Sequence, residues 1–253
     1  MKKSKVFYEI KGQGKPILWL HGFLEDHQIW DNIYPTFLDL GYQIILIDLP
    51  CHGQSRFLGD YCSMKEIAAI VDQILKENKI ENPYVIGHSM GGYVGLELLL
   101  LRNIQLTLLH SNFWNDSPSK KDDRNRVIEV VKKNKRLFLQ EAIPNLFAEE
   151  NRSKCKAEIT DLIKRAKLIP SSEICAITCG LRDRSDLTKL LNQHKISIIQ
   201  GEKDKVVPMD SMLEKCENLK SDQQVLQIKN VGHMSMFEDT ESLINRLKTI
   251  LIE

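Results

Sequence analysis

Residues 83–94 read Pro83-Tyr84-Val85-Ile86-Gly87-His88-Ser89-Met90-Gly91-Gly92-Tyr93-Val94. A short apolar run, Tyr84–Ile86, passes through Gly-x-Ser-x-Gly into a helical pattern over Tyr93–Leu101. That juxtaposition marks a strand-to-helix turn so tight that the middle serine is pushed out at the strand's end. The flanking positions are glycine because a Cβ there would strike neighbouring backbone. The helix that follows turns unpaired N–H groups and the positive end of its dipole toward the serine, which favours a developing anion. Ser89 is therefore the candidate nucleophile.

Similar apolar runs lie on both sides: Lys15–Leu20, Tyr42–Ile47, Leu106–Leu109, Ile196–Ile199 and Gln224–Ile228. Most are nearly continuous rather than alternating, as expected of parallel strands covered on both faces. Lys5–Lys11, followed by Gly12-Gln13-Gly14, reads as an edge strand that turns back by a hairpin. Helical patterns over Met64–Lys79, Met209–Asn218 and Thr240–Leu251 alternate with these runs. The alternation predicts an α/β fold with a doubly wound, mostly parallel sheet. It breaks once, between Asn112 and Lys195. There the chain shows only charged amphipathic pieces, Asp123–Leu139, Ser153–Leu168 and Leu187–Gln193, punctuated by Pro118, Pro144 and Pro170. The expected organisation is residues 1–111 as the first part of the core, 112–186 as a helical cap or lid, and 187–253 as the second part of the core.

A serine hydroxyl is a weak nucleophile and needs a base that is itself held by a third group. The chain has seven histidines. His88 lies inside the turn, with its ring directed into the surrounding packing. His21, His52 and His110 stand at strand ends, and His27 and His194 lie in polar stretches. His233 differs, because it follows the last strand on a loop before the C-terminal helix. Asp204, on the loop after Ile196–Ile199, is the preferred acid. Asp48 and Asp116 compete with it, one ending a strand and one lying beyond the strand that carries His110.

Taken together, the chain resembles the α/β-hydrolase fold proteins over essentially its full length. The resemblance rests on His21-Gly22-Phe23, Asp48-Leu49-Pro50-Cys51-His52-Gly53-Gln54-Ser55, the Ser89 turn, Gly201-Glu202-Lys203-Asp204 and Gly232-His233, met in that order. The order Ser89, Asp204, His233 is also that family's triad order. The resemblance implies a Ser89–Asp204–His233 triad and an oxyanion hole made by the backbone N–H groups of Phe23 and Met90. It implies no metal and no organic cofactor. Two departures narrow it. Ser rather than Asp at position 89 sets the chain apart from the haloalkane dehalogenase and epoxide hydrolase branches, and there is no His-Gly-Gly-Gly. Cys51 stands where the family usually has Gly, as either a structural or a redox-sensitive thiol.

The implied activity is that of a capped esterase- or lactonase-like serine hydrolase acting on a small carboxylic ester, thioester or lactone. A lyase or perhydrolase on the same fold, or a slow-turnover ligand receptor that keeps the triad, are the alternatives. Phe113, Trp114, Phe147, Met234 and Met236 are candidates for an apolar pocket under the cap.

Composition bounds the partners. The 253 residues carry 35 Lys+Arg against 34 Asp+Glu, a net charge of +1, which excludes binding of nucleic acid by bulk charge. Hydrophobic residues at 42% and charged residues at 27% describe an ordinary globular chain. No run approaches the ~18–20 apolar residues of a membrane span. Glu9 and Lys11 interrupt what would be a signal-peptide core after Lys2, Lys3 and Lys5, so a cytoplasmic location is expected. Six scattered cysteines form neither a disulfide framework nor a zinc pattern; Cys175 and Cys179 stack at i,i+4 on a helix. The expected partner is a small ester-like substrate.

Overall fold

The computed structural model describes residues 5–217, 219 and 225–252. Seven strands form one sheet: β1 (Tyr8–Lys11), β2 (Pro16–Leu20), β3 (Gln43–Ile47), β4 (Tyr84–His88), β5 (Gln105–Leu109), β6 (Ile196–Gly201) and β7 (Val225–Ile228). Their spatial order is β1-β3-β2-β4-β5-β6-β7. All neighbours are parallel except β1, which runs antiparallel to β3. The expected doubly wound sheet is present. Asn218 and Gln224, expected at element ends, lie outside the described residues.

The hairpin is not formed. β1 is an edge strand, but it pairs with β3 (Tyr8↔Ile47, Lys11↔Ile44) rather than with β2. The reason is burial: Ile17, Leu18, Trp19 and Leu20 are wholly enclosed, and β2 is paired on both sides by parallel neighbours. The glycines after β1 serve close packing instead of a two-strand turn. A Cβ on Gly14 would stand 2.1 Å from the carbonyl oxygen of Gly41.

Successive residues along each strand point to opposite faces, so the sheet builds two apolar cores. One gathers Leu18, Leu20, Ile45, Val85, Leu106 and Ile198 with α2 (Met64–Glu77) and α3 (Met90–Leu99). The other gathers Ile17, Trp19, Ile44, Ile86 and Ile199 with Phe37 of α1 (Tyr34–Asp39) and Leu243 and Leu247 of α10 (Thr240–Ile252). The α2 helix forms where its sequence asks: the Ser63 side chain accepts from the Glu66 N–H, and one stripe, Ile67, Val71, Ile74 and Leu75, is buried.

Between β5 and β6 lie α4 (Pro118–Ala142), α5 (Lys156–Ala166), α6 (Ser171–Arg182) and the short α7 (Thr188–Leu191). Pro118 occupies the first turn of α4, where its missing N–H costs nothing. Asn134 breaks α4 with non-helical dihedrals (φ −154°, ψ 74°), and its side chain caps the second half by accepting from the Leu137 N–H at 3.1 Å. Lys135 ties that break to the end of α5 through the carbonyls of Lys167 and Ile169. After β6 and β7 come α8 (Met209–Glu217) and α9 (Ser235–Glu238). Among the described residues, no helix is long and apolar enough to cross a membrane.

Candidate active site

β4 runs directly into α3, with Ser89 as the hinge at φ 48° and ψ −114°, a left-handed conformation that a non-glycine residue rarely takes. Close approach explains the neighbouring glycines. A Cβ on Gly87 would meet the Gly91 carbonyl oxygen at 2.5 Å, and one on Gly91 would meet that of Leu20 at 2.3 Å. The Ser89 N–H donates to the Leu109 carbonyl, and Ser111 Oγ donates to the Ser89 carbonyl at 2.7 Å, fixing the turn to β5.

Asp204 and His233 follow β6 and β7 at the same carboxyl edge of the sheet. His233 Nδ1 donates to Asp204 Oδ2 at 2.8 Å, since a carboxylate can only accept. Both residues are buried. Burial alone would raise the Asp204 pKa, but His233 and His110 facing it hold the carboxyl far below the usual carboxylate range. Oδ1 of Asp204 accepts the N–H groups of Val206 and Val207 at 2.8 and 3.0 Å, and Oδ2 also accepts from Gln200 Nε2 at 2.8 Å. The competing acids are engaged elsewhere. Asp116 lies between Arg124 and Arg184, and Asp48 holds His27 and the Gln54 N–H.

Ser89, His233, Phe23 and Met90 open on one cavity of about 180 Å³. The N–H groups of Phe23 and Met90 make no hydrogen bond to any described residue. For Met90, the first residue of α3, this is the normal state of a helix N-terminus. The Phe23 loop is held from both sides: Gly22 N–H donates to Glu25 Oε2 at 2.6 Å, and His21 Nε2 accepts the Leu49 N–H at 2.9 Å.

The expected apolar lining is not the observed one. Phe113 and Trp114 pack toward Met64 and Leu96 on the far side of Tyr93. Phe147, Met234 and Met236 are sealed in the second core. The wall beside Ser89 is made instead by Val127, Phe138 and Ala142 of α4, with Leu146 and Leu181. Of the expected residues only Phe113 and Trp114 follow β5 closely, and the route of α4 across the sheet edge brings other side chains to the cavity.

Three buried groups have partners that the sequence did not reveal. His88 donates to Glu25 Oε2 from Nδ1 (2.9 Å) and to the His233 carbonyl from Nε2 (2.9 Å). Both partners only accept, so the ring carries both protons as an imidazolium. Burial opposes that charge, but Glu25 overcomes it and raises the His88 pKa, while His88 lowers that of Glu25. Second, Glu238 brackets the His233 loop, accepting the N–H groups of Gly232 and Met234 at 3.0 and 3.1 Å. It also takes those of Ala148 and the Asn151 amide from the helical insertion. Third, His110 Nδ1 stands 3.4 Å from Asp204 Oδ2 and its Nε2 2.6 Å from Ser235 Oγ. Neither Glu25 nor Glu238 carries a signal of these roles in one sequence, because His88, Ala148 and Asn151 lie 63, 90 and 87 positions from them and meet them only in the folded chain. His110, Asp204 and His233 place three metal-ligating atoms within 4.8 Å, as do Asp26, His27 and Asp48. In each group the imidazole and carboxylate already engage one another.

Cys51 is fully buried at φ 71°, which accounts for glycine being the usual residue of the motif. Cys62 beside it and burial push the Cys51 thiol pKa up, the opposite of what a reactive thiolate needs.

The histidines give stability a maximum in pH. Burial lowers the pKa of His21, of His52 to about 3 and of His110 to about 4. Below about pH 6.5 the unfolded chain takes up protons there that the native state refuses, so stability falls on acidification. His27 and His88 are buried too, yet Asp48 and Glu25 raise their pKa values. Above about pH 6.5 the native state keeps protons that the unfolded chain loses, and this advantage disappears as pH rises through the raised values. Denaturant unfolding between pH 5 and 8.5 should therefore show the greatest stability near pH 6.5. A monotonic rise or fall across that range would contradict these assignments.

Residues 15–107 match the family model described as alpha/beta hydrolase fold. The chain is 27% identical over 254 residues to the dihydrolipoyllysine-residue acetyltransferase component of the acetoin cleaving system of Pseudomonas putida. That match covers 97% of this chain and 66%, just under two thirds, of the longer relative. Among solved structures, a thermophilic esterase from Thermogutta terrifontis superimposes with a TM-score of 0.90 at 24% identity, covering 98% of this chain and 93% of that one. The enol-lactonase from Burkholderia xenovorans gives 0.88 at 16% identity, covering 99% and 97%. The strand order, the tight serine turn at the centre of the sheet and these likenesses show that the chain has the α/β-hydrolase fold.

Proposed function

We propose that the protein is a serine hydrolase that cleaves a small carboxylic ester, thioester or lactone through an acyl-enzyme on Ser89. The reading is supported chiefly by one observation: Ser89 and His233 open on the same cavity while Asp204 grips the far nitrogen of the His233 ring. In this mechanism Ser89 Oγ attacks the carbonyl carbon as His233 Nε2 takes its proton. The Nδ1–H bond to Asp204 leaves Nε2 as the free base and stabilises the imidazolium that forms. The N–H groups of Phe23 and Met90 receive the oxyanion, each worth about 2.7–4 kcal/mol of activation free energy in comparable sites. His233 then protonates the leaving oxygen or sulfur, and a second cycle with water as nucleophile releases the acid and restores Ser89. The likeness to an esterase and an enol-lactonase agrees with this chemistry.

Residues 112–186 act in this reading as a lid, because α4 contributes Val127, Phe138 and Ala142 to the cavity wall. A volume of about 180 Å³ is below the ~300–1,000 Å³ of pockets for drug-sized ligands, which favours short acyl groups. The test is kcat/KM across p-nitrophenyl and methyl esters from acetyl to octanoyl, with thioesters and lactones included. Turnover should be multiple and greatest for the short members; no turnover of any member would remove the hydrolase assignment. Ala142→Leu should shift preference further toward acetyl, lowering the octanoyl-to-acetyl ratio by about 10-fold, the scale of ~1–3 kcal/mol per methylene. Equal loss for every chain length would mean that α4 supports the fold without shaping the pocket.

A further inference from the structure

The cavity over Ser89 has one cation in its wall with unused hydrogen-bonding capacity. Arg124, in the second turn of α4, lines the cavity with Ser89 and His233. Its Nε donates to Asp116 Oδ2 at 3.1 Å, while Arg184 Nη1 reaches Asp116 Oδ1 at 2.6 Å. Two guanidinium groups thus share one buried carboxylate, leaving a single positive charge over. Arg184 cannot present it: its side chain is 4% exposed and lies against the Tyr93 ring, 4.3 Å from the centroid. Arg124 can. Its side chain is 19% exposed, and its two Nη groups make no hydrogen bond to any described residue. The acidic group on the same wall, Glu25, is already matched by the His88 imidazolium and the Gly22 N–H.

A guanidinium anchored through Nε with both Nη ends free is preorganised for a planar, singly charged anion, since the fork matches a carboxylate bidentately. We propose that Arg124 selects substrates carrying a carboxylate in addition to the scissile bond, so that the preferred molecules are esters or lactones bearing one free acid group. The proposal rests on the hydrolase reading above for its activity arm, but the anion site itself does not. Asp116 keeps Arg184 when Arg124 is replaced, so its buried charge is not orphaned in the variant.

The test compares kcat/KM for monomethyl against dimethyl succinate and glutarate, and for O-acetyl lactate against its methyl ester, in the wild type, Arg124→Met and Arg124→Lys. The wild type should prefer the anionic member of at least one pair by about 10-fold or more, the scale of one charge-assisted hydrogen bond. Arg124→Met should erase that preference, and Arg124→Lys, charged but without the fork, should retain part of it. In parallel, binding of succinate by calorimetry should be measurable in the wild type and lost in Arg124→Met. A wild type indifferent to the carboxylate, or a preference that survives in Arg124→Met, overturns the proposal without any need for the variant to be fully stable. Arg124-dependent succinate binding with no turnover of any ester would leave the anion site standing and remove the hydrolase reading instead.

Discussion

Ser89→Ala should lower kcat for any hydrolysed ester by about 10⁴-fold or more, the scale seen when the nucleophile of a triad is removed, while thermal stability stays level or rises. The activity loss follows from the proposed mechanism, in which the Ser89 hydroxyl at the hinge of the turn is the attacking group. The stability expectation follows from the backbone: Ser89 is held at φ 48° by its neighbours, and its N–H and carbonyl, not its side chain, make the hydrogen bonds that fix the turn. Alanine keeps those bonds and the same strain. A fluorophosphonate should label Ser89 in the wild type and nothing in the variant, read by peptide mass spectrometry. Full activity in Ser89→Ala, or an adduct on another residue, would end the assignment of the nucleophile.

Asp204→Asn should be as damaging to turnover, by about 10⁴-fold, and unlike the serine variant it should also destabilise. The hydrogen bonds to this carboxylate come from Val206 and Val207 N–H on Oδ1, and from Gln200 Nε2 and His233 Nδ1 on Oδ2. An asparagine must aim its NH₂ at one of these sets. If it faces Oδ1's partners, two backbone donors lose their acceptor inside the protein. If it faces His233, the ring must accept at Nδ1, so its proton moves to Nε2 and the base is lost. The stability cost should be about 1–3 kcal/mol, that of leaving buried donors unpaired. Asp116→Asn, assayed on a neutral ester, is the control for the catalytic acid alone: Asp116 does not touch His233, although its loss from between two arginines should itself cost stability. Denaturant unfolding and kcat measured on both variants separate the roles. A near-normal Asp204→Asn with a crippled Asp116→Asn would reverse them.

The elements most plainly written in the sequence were those whose signal is local. Continuous apolar runs such as Pro16–Leu20 became central parallel strands because full burial on both faces leaves no position free to be polar. The Ser89 turn was legible because its geometry forbids side chains at Gly87 and Gly91, so the constraint is recorded in adjacent residues. Asp204 and His233 could be named from their places after β6 and β7, since parallel topology sends every such loop to the same edge. Cys175 and Cys179 lie on α6, as their i,i+4 spacing suggests.

Where strands pair, and which helix side chains reach a cavity, depend on contacts between residues far apart in the chain. The β1 hairpin failed for that reason: the turn chemistry of Gly12-Gln13-Gly14 suits a hairpin, but burial of β2 between two parallel neighbours overrides it. Phe113, Trp114 and Phe147 were sound apolar candidates near the right strand, and packing in three dimensions took them into the cores while Val127, Phe138 and Ala142 came to the cavity. The sequence by itself determined the fold class, the serine turn and the chain order of the candidate triad, because each is encoded by burial or steric exclusion within a few residues. Only the tertiary structure decided that Glu25 charges His88, that Glu238 clamps the His233 loop and that Arg124 faces the cavity. A hydrogen-bond or ion pair between residues 63 or 90 positions apart leaves no periodicity and no spacing in the chain that carries it.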